Sequence, residues 1–300
     1  MSKAKVKKID IHVHTAPKSL LDLEVPGRAP YANPQQLKSM CEAVGIDKAI
    51  ILPPLNVEGS GIKSTNELTY LITEEYKDFY YWFLNIDPRF SNNTPTADFS
   101  PKLQHYKSLG AKGVGELCCN LSFNDARTEN LFSHCEALDL PVLFHIAPKD
   151  GNNYGLVDDL GLPRLEKALK KFPKLKFIGH SQPFWSEISG DLTEEKRNTY
   201  PAGKVVEGRL TKLLRDYPNL YCDLSAGSGL NAMSRDIDHA AKFLTEFQDR
   251  VMFGTDICSP LNTHHIALSE FYDNLYFDDL ISESIYKKIC RENAIKTLGL

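Results

Sequence analysis

Residues 7–16 read KKIDIHVHTA. Ile9, Ile11 and Val13 occupy every second position with Asp10, His12 and His14 between them, the period-two alternation of a β-strand. Read as a strand, the stretch puts an acid and two imidazoles on one face. Burying such a face is costly unless its polar groups find partners. The stretch therefore asks two things at once: what fold surrounds it, and what those three side chains meet.

Outward from it, short runs rich in β-branched, aromatic and other apolar residues recur at 48–52 (KAIIL), 79–86 (FYYWFLNI), 111–117 (AKGVGEL), 141–146 (PVLFHI), 175–180 (LKFIGH), 219–225 (NLYCDLS) and 250–256 (RVMFGTD). With 8–14 they make eight expected strands. Stretches of helical periodicity lie between them at 34–45, 65–76, 129–140 and 162–173, several ending at Gly or just before Pro. The strand starts are spaced roughly as βα units are, about 30 residues or more apart. Eight such units predict an α/β fold, a single (β/α)8 TIM barrel over residues 1–300, with its site at the C-terminal mouth. An open doubly wound sheet is the alternative, but no G-x-G-x-x-G follows the first run.

Composition narrows the function classes. The 35 basic and 39 acidic residues leave a net charge of −4, with no long basic face for nucleic acid. No 18-residue apolar run is present, so no membrane span is expected, and the basic start MSKAKVKK runs into IDIHVH without an apolar stretch of signal-peptide length. The seven cysteines (41, 118, 119, 135, 222, 258, 290) are scattered, with no C-x-x-C pair, and read as reduced thiols of a cytoplasmic protein. The expected partner is a small-molecule substrate. A homo-oligomer stays open, since FYYWF at 79–83 has more aromatics than one strand face needs.

Within a barrel, His14, Glu116, His145, His180, Ser225 and Asp256 each fall at the C-terminal end of a different strand. Separate stretches of chain thus converge on one mouth, where barrel enzymes build their sites. In H-V-H, residues two apart on a strand share a face about 6.6 Å apart, so both imidazoles can reach one ion. Alone the motif is also compatible with two hydrogen-bonded histidines. Opposite Asp256, a divalent cation is the partner that explains the set together. Asp10, lower on the same face, is expected to support the site from below.

IDIHVHTAP, LPVLFHIAP, KLKFIGHSQP, NLYCDLSA, VMFGTD and the terminal ENAIKTLGL resemble the amidohydrolase superfamily of metal-dependent (β/α)8 hydrolases. Within it the amidohydrolase-2 branch, with decarboxylases of the aminocarboxymuconate-semialdehyde type and lactone hydrolases, is most similar. The resemblance implies that His12, His14, His145 and Asp256 hold a divalent metal, zinc foremost among several that suit such ligands. It implies that His180 is either a catalytic histidine beside one ion or a ligand of a second, and that Glu116 bridges where there are two. Asp256 and His180 would then be the catalytic pair, acting through metal-activated water. The reactions implied are hydrolysis of an amide, lactone or ester in a small polar metabolite, or decarboxylation of an unsaturated carboxylic acid. A non-catalytic metal-binding barrel is the minor alternative.

The long connections carry the substrate hints. Lys18 and Arg28, in the proline-rich stretch after the first strand, read either as a grip on the carboxylate of an anionic substrate or as two solvated charges. Phe184 and Trp185, after His180, could form an aromatic wall, and Asn152, Asn153 and Tyr154 offer hydrogen bonds. Cys118 and Cys119 read as small core residues near the mouth.

Overall fold

The computed structural model describes residues 3–17, 29–59 and 64–300. Its barrel strands are β1 (Lys8–Val13), β2 (Ile46–Ile51), β3 (Tyr80–Trp82), β4 (Val114–Leu117), β5 (Val142–Ala147), β6 (Phe177–His180), β7 (Leu220–Asp223) and β8 (Val251–Met252), one on each expected run. Helices on the connections include α1 (Pro34–Ala43), α2 (Asn66–Glu75), α3 (Ser100–Ser108), α4 (Ala126–Ala137), α5 (Pro163–Lys171), α6 (Gln182–Ser186), α7 (Arg209–Asp216), α8 (Ala226–Ser234), α9 (Ile237–Glu246) and α10 (His264–Phe277). Their starts are encoded locally. Asn33 closes a capping box with Gln36, and the side chains of Thr65, Asp125 and Asp236 accept first-turn N–H groups.

All strand pairs are parallel, in the order β1-β2-β3 and β4-β5-β6-β7-β8. Two seams join these sheets. Leu84 donates to Gly113 O (2.9 Å) and accepts from Gly115 N (2.8 Å), linking the end of β3 to β4. Beyond β8, Ile11 N meets Phe253 O (3.1 Å), Asp256 N meets His12 O (2.8 Å) and His14 N meets Ile257 O (2.8 Å). The sheet therefore closes on itself as a (β/α)8 barrel. A two-residue strand, Leu156–Val157, adds to the upper end of β5.

Every residue of β1, β4 and β5 is buried, because a parallel barrel strand is covered on both faces. One apolar cluster lies between strands and helices, with Val13, Ile51, Trp82, Phe144 and Cys222 among its strand residues. A second joins Ile9, Ile11, Ile50, Leu52, Phe83, Leu143, Ile178 and Met252 to Ala294 and Leu298 near the C-terminus. Leu143 and Ile178 share the alternation of His145 and His180, so this cluster fills the barrel below the mouth.

That distribution corrects the reading of β1. Asp10 pairs with Ala49 but Val13 pairs with Ile51, three residues against two, so one extra residue is accommodated between them. Ile9 and Ile11 enter the inner cluster, and His12 and His14 then point to the mouth. Asp10 consequently does not share their face. Fully buried, its carboxylate accepts from the main-chain N–H groups of His12 (2.9 Å) and Thr255 (3.0 Å) and from the Thr255 hydroxyl, tying the irregular part of β1 to the chain leading into Asp256.

Candidate metal centre

His12 leaves β1 with its ring completely buried. Its Nδ1 lies 2.6 Å from Asp223 Oδ2, and this carboxylate can only accept, so the proton sits on Nδ1 and the Nε2 lone pair is left free. His14 repeats the arrangement: its Nδ1 donates to Leu52 O at 2.8 Å. The two Nε2 atoms then face one another at 3.0 Å, so whatever positive charge they share, a proton or a metal ion, lies between them. A cation is the species that reconciles that contact, and around it stand Glu116 Oε2, at 3.5 and 3.4 Å from the two nitrogens, and Asp256 Oδ1, at 3.7 and 3.4 Å.

Glu116 divides its oxygens. Oε2 faces the β1 histidines, while Oε1 takes a 2.8 Å hydrogen bond from His145 Nδ1 and lies 3.9 Å from His180 Nε2. His180 is held from behind, its Nδ1 2.9 Å from Ser225 Oγ and 3.3 Å from Asp223 Oδ2. Among the described residues, three overlapping groups could hold an ion: His12, His14 and Glu116; His12, His180 and Asp256; and Glu116, Cys118 and His145, with the ligand atoms of each within 4.8 Å of one another.

The electrostatics favour positive charge at this spot. Burial raises the Glu116 carboxyl, yet His12, His14 and His145 outweigh it and hold the group well below its ordinary range. Burial likewise opposes ionisation of Asp223 and Asp256, but the imidazoles around them keep both carboxyls low. In the opposite sense, burial lowers the His14 pKa while Asp256 and Glu116 lift it to about 9. Three carboxylates around four imidazoles draw in either protons or metal cations, and the paired Nε2 atoms fit the latter. Burial pushes Asp10 up to about 7.

Asp256, at φ 59°, sits in the left-handed region that non-glycine residues avoid, and such strain concentrates at functional positions. Gly254, two residues before it, has no room for a side chain: a Cβ there would lie 2.6 Å from Asp223 Oδ1 and 3.3 Å from the His12 Cβ.

The sequence-derived residues His12, His14, Glu116, His145, His180 and Asp256 thus converge. The Tyr154 ring lies 4.5 Å from that of His145, tilted by 43°, and lines a recess with His145, Ile146, Pro148, Asn153, Gln182 and Asn198. Trp185 departs from expectation. It is 2% exposed, packs on Phe184 and Phe243 and donates from Nε1 to Asp223 O at 2.9 Å, so it backs Asp223 and forms no pocket wall. Lys18 and Arg28 lie outside the described residues. Cys119 is a core residue as expected, but Cys118 faces Glu116 and His145. Burial and the nearby Glu116 keep its thiol well above the ordinary range, so it is no free thiolate nucleophile.

Asp223 escaped sequence reasoning, although its spacing from Ser225 in CDLS repeats that of H-V-H. Asn85 also escaped it: buried, it donates from Nδ2 to Pro53 O (3.0 Å) and Glu116 O (2.9 Å), and no motif marks it.

A family model described as amidohydrolase matches residues 9–300. Among solved structures, a probable 2-pyrone-4,6-dicarboxylic acid hydrolase from Acinetobacter baumannii with citric acid bound is 16% identical, with 98% of this chain and 100% of that one covered and a TM-score of 0.62. A 2,6-dihydroxybenzoate decarboxylase from Rhizobium is 16% identical over 97% and 98% of the two chains, with a TM-score of 0.59. An amidohydrolase from Burkholderia multivorans with bound zinc is 14% identical over 98% and 100%, with a TM-score of 0.61. At these identities the likeness is one of fold. No curated protein matches the sequence.

Proposed function

The chain belongs to the amidohydrolase family, and from that premise we propose that it hydrolyses an amide, lactone or ester bond in a small polar, anionic metabolite with the help of divalent metal, zinc foremost. The carrying observation is Asp256. Its side chain is 28% exposed, its Oδ1 is 3.4 Å from His14 Nε2 and its Oδ2 is 3.9 Å from His180 Nε2, so one carboxylate reaches both the candidate metal ligands and the open mouth.

His12, His14, Glu116 and Asp256 would hold one ion, and the division of the Glu116 oxygens supports a second, on the side of His145 and His180. Bound metal supplies Lewis acidity and brings the pKa of a bound water toward 7. Asp256 Oδ2 accepts the proton of the attacking water and delivers it to the departing nitrogen or oxygen. With one ion, His180 Nε2 would face the substrate carbonyl oxygen, and with two it would ligate the second; in either case its ring is fixed through Nδ1 by Ser225 and Asp223. Asn153, Tyr154 and Asn198 offer hydrogen bonds in the adjoining recess, and Arg28 is the proposed grip on a substrate carboxylate. The citric acid in the Acinetobacter structure is in keeping with an anionic ligand.

Metal counts by elemental analysis, combined with assays of lactones, N-acyl compounds and unsaturated carboxylic acids with and without chelator, test the reading. Chelator-sensitive hydrolysis is expected, with metal content falling in Glu116→Ala. A protein without bound metal, unaltered by the His12→Ala/His14→Ala double substitution, would sink it. Release of carbon dioxide would instead place the chain with decarboxylases such as the Rhizobium enzyme.

A further inference from the structure

We propose that Cys118 is a metal ligand, supplying a thiolate to the ion held by Glu116 and His145; this rests on the metal-dependent reading above and gives that ion a soft donor. Glu116 and Cys118 stand two residues apart at the end of β4, as His12 and His14 do at the end of β1. Leu117 between them packs under the helices, as Val13 does. Two adjacent regions of the mouth are thereby built by one device, a pair of donors on alternate residues.

The carboxylate oxygen, the sulfur and the imidazole nitrogen of Glu116, Cys118 and His145 lie within 4.8 Å of one another. Ligand atoms around a tetrahedral zinc with bonds of about 2.0–2.3 Å stand roughly 3.3–3.8 Å apart, so closure by about 1–1.5 Å at most brings these three donors to one ion. The three residues are each 8% exposed, so none of the three donors is fully sealed from solvent. Cys118 is also held in place: its N–H donates to Asn56 Oδ1 (2.8 Å), its carbonyl accepts from Gly155 N (2.8 Å), and a Cβ on Gly59 would come within 3.1 Å of its own Cβ. No other cysteine is so placed among the described residues. Cys41, Cys119, Cys135, Cys222 and Cys290 lie in the apolar core, and the Cys258 sulfur is directed to Asn262 Oδ1 at 3.5 Å.

On ligation the Cys118 S–H proton passes to solvent as the metal–sulfur bond forms, with no change of oxidation state. A thiolate donor favours zinc or cobalt(II) over magnesium or manganese, which a purely nitrogen and oxygen site would not do as strongly.

The test is cobalt(II) titrated into the metal-free full chain and followed by absorption. A near-ultraviolet sulfur-to-cobalt charge-transfer band is expected in the wild type and in Cys258→Ser. It should disappear in Cys118→Ser, with cobalt affinity at that site weakened by at least about tenfold. X-ray absorption of the zinc-loaded wild type, which needs no variant to fold, should show a sulfur scatterer at about 2.3 Å. Cobalt binding without the band, zinc with only nitrogen and oxygen neighbours, or a band that survives Cys118→Ser overturns Cys118 as ligand and leaves the hydrolase reading standing. Failure to bind cobalt at all overturns both.

Discussion

Asp223 Oδ2 lies 2.6 Å from His12 Nδ1 and 3.3 Å from His180 Nδ1, so one buried carboxylate sets the ring orientation of two histidines that belong to different strands. Removing it leaves Ser225 Oγ beside the two Nδ1 atoms, 3.3 Å from His12 and 2.9 Å from His180, a hydroxyl that can donate or accept and so no longer fixes either tautomer. Asp223→Ala is therefore expected to weaken divalent-metal affinity by about 10–100-fold, measured by competition against a chromophoric chelator. An unchanged affinity would show that the two histidines are oriented by packing alone.

Gly254 makes a second, steric prediction. Since a Cβ there would sit 2.6 Å from Asp223 Oδ1 and 3.1 Å from the Ser225 Cβ, Gly254→Ala should displace Asp223 and cost about 1–3 kcal/mol of stability. Denaturant melts and metal titration should report both losses together; a stable variant with full metal affinity would contradict the tight fit.

Arg197 connects loops rather than strands. Fully buried, it donates from Nη1 to Asp158 O (2.8 Å) and Pro148 O (3.4 Å), clamping the β6–β7 connection onto the one that follows β5. Its neighbour Asn198 lines the recess beside His145. Arg197→Met should raise KM for any substrate found by the assay panel while leaving bound metal unchanged. A variant with unaltered KM would remove the loop clamp from the account of substrate binding.

Glu187 gives a pH-dependent stability. Burial raises its carboxyl from 4.5 to about 7, against the lowering effect of Gly161 N–H, which donates to it at 2.7 Å, and of Arg197, while Asp158 and Glu194 add to the rise. A carboxyl raised in the folded state contributes stability below its unfolded pKa and loses it as pH rises through the folded value. Relative to Glu187→Gln, which keeps the acceptor for Gly161, the wild type should lose about 1–3 kcal/mol between pH 4.5 and pH 8. Urea melts across that range check it; parallel stability curves for the two proteins would refute it.

Much of the architecture was legible in sequence, because barrel strands buried on both faces must be apolar runs and their helices carry their own start signals at Asn33, Thr65 and Asp125. The residues gathered at the mouth were legible for a related reason: polar groups at strand ends stand out against apolar neighbours. Asp223 lay inside one such run and Asn85 in another, and neither acquires a partner until strands distant in sequence are laid side by side.

Asp10 marks the boundary most clearly. The sequence alone determined the eight βα runs and pointed to His12, His14, Glu116, His145, His180 and Asp256 at one end of the barrel, though not to Asp223, since alternation and spacing are local properties of the chain. Only the tertiary structure decided which face Asp10 takes, which oxygen of Glu116 meets which histidine, and that Cys118 looks into the site while Trp185 looks away. The reason is physical: period-two alternation holds only while the ladder is regular, and between Asp10 and Val13 it is broken by the pairing with β2. Pairing registers and ring orientations are settled by contacts between strands, which no single stretch of sequence contains.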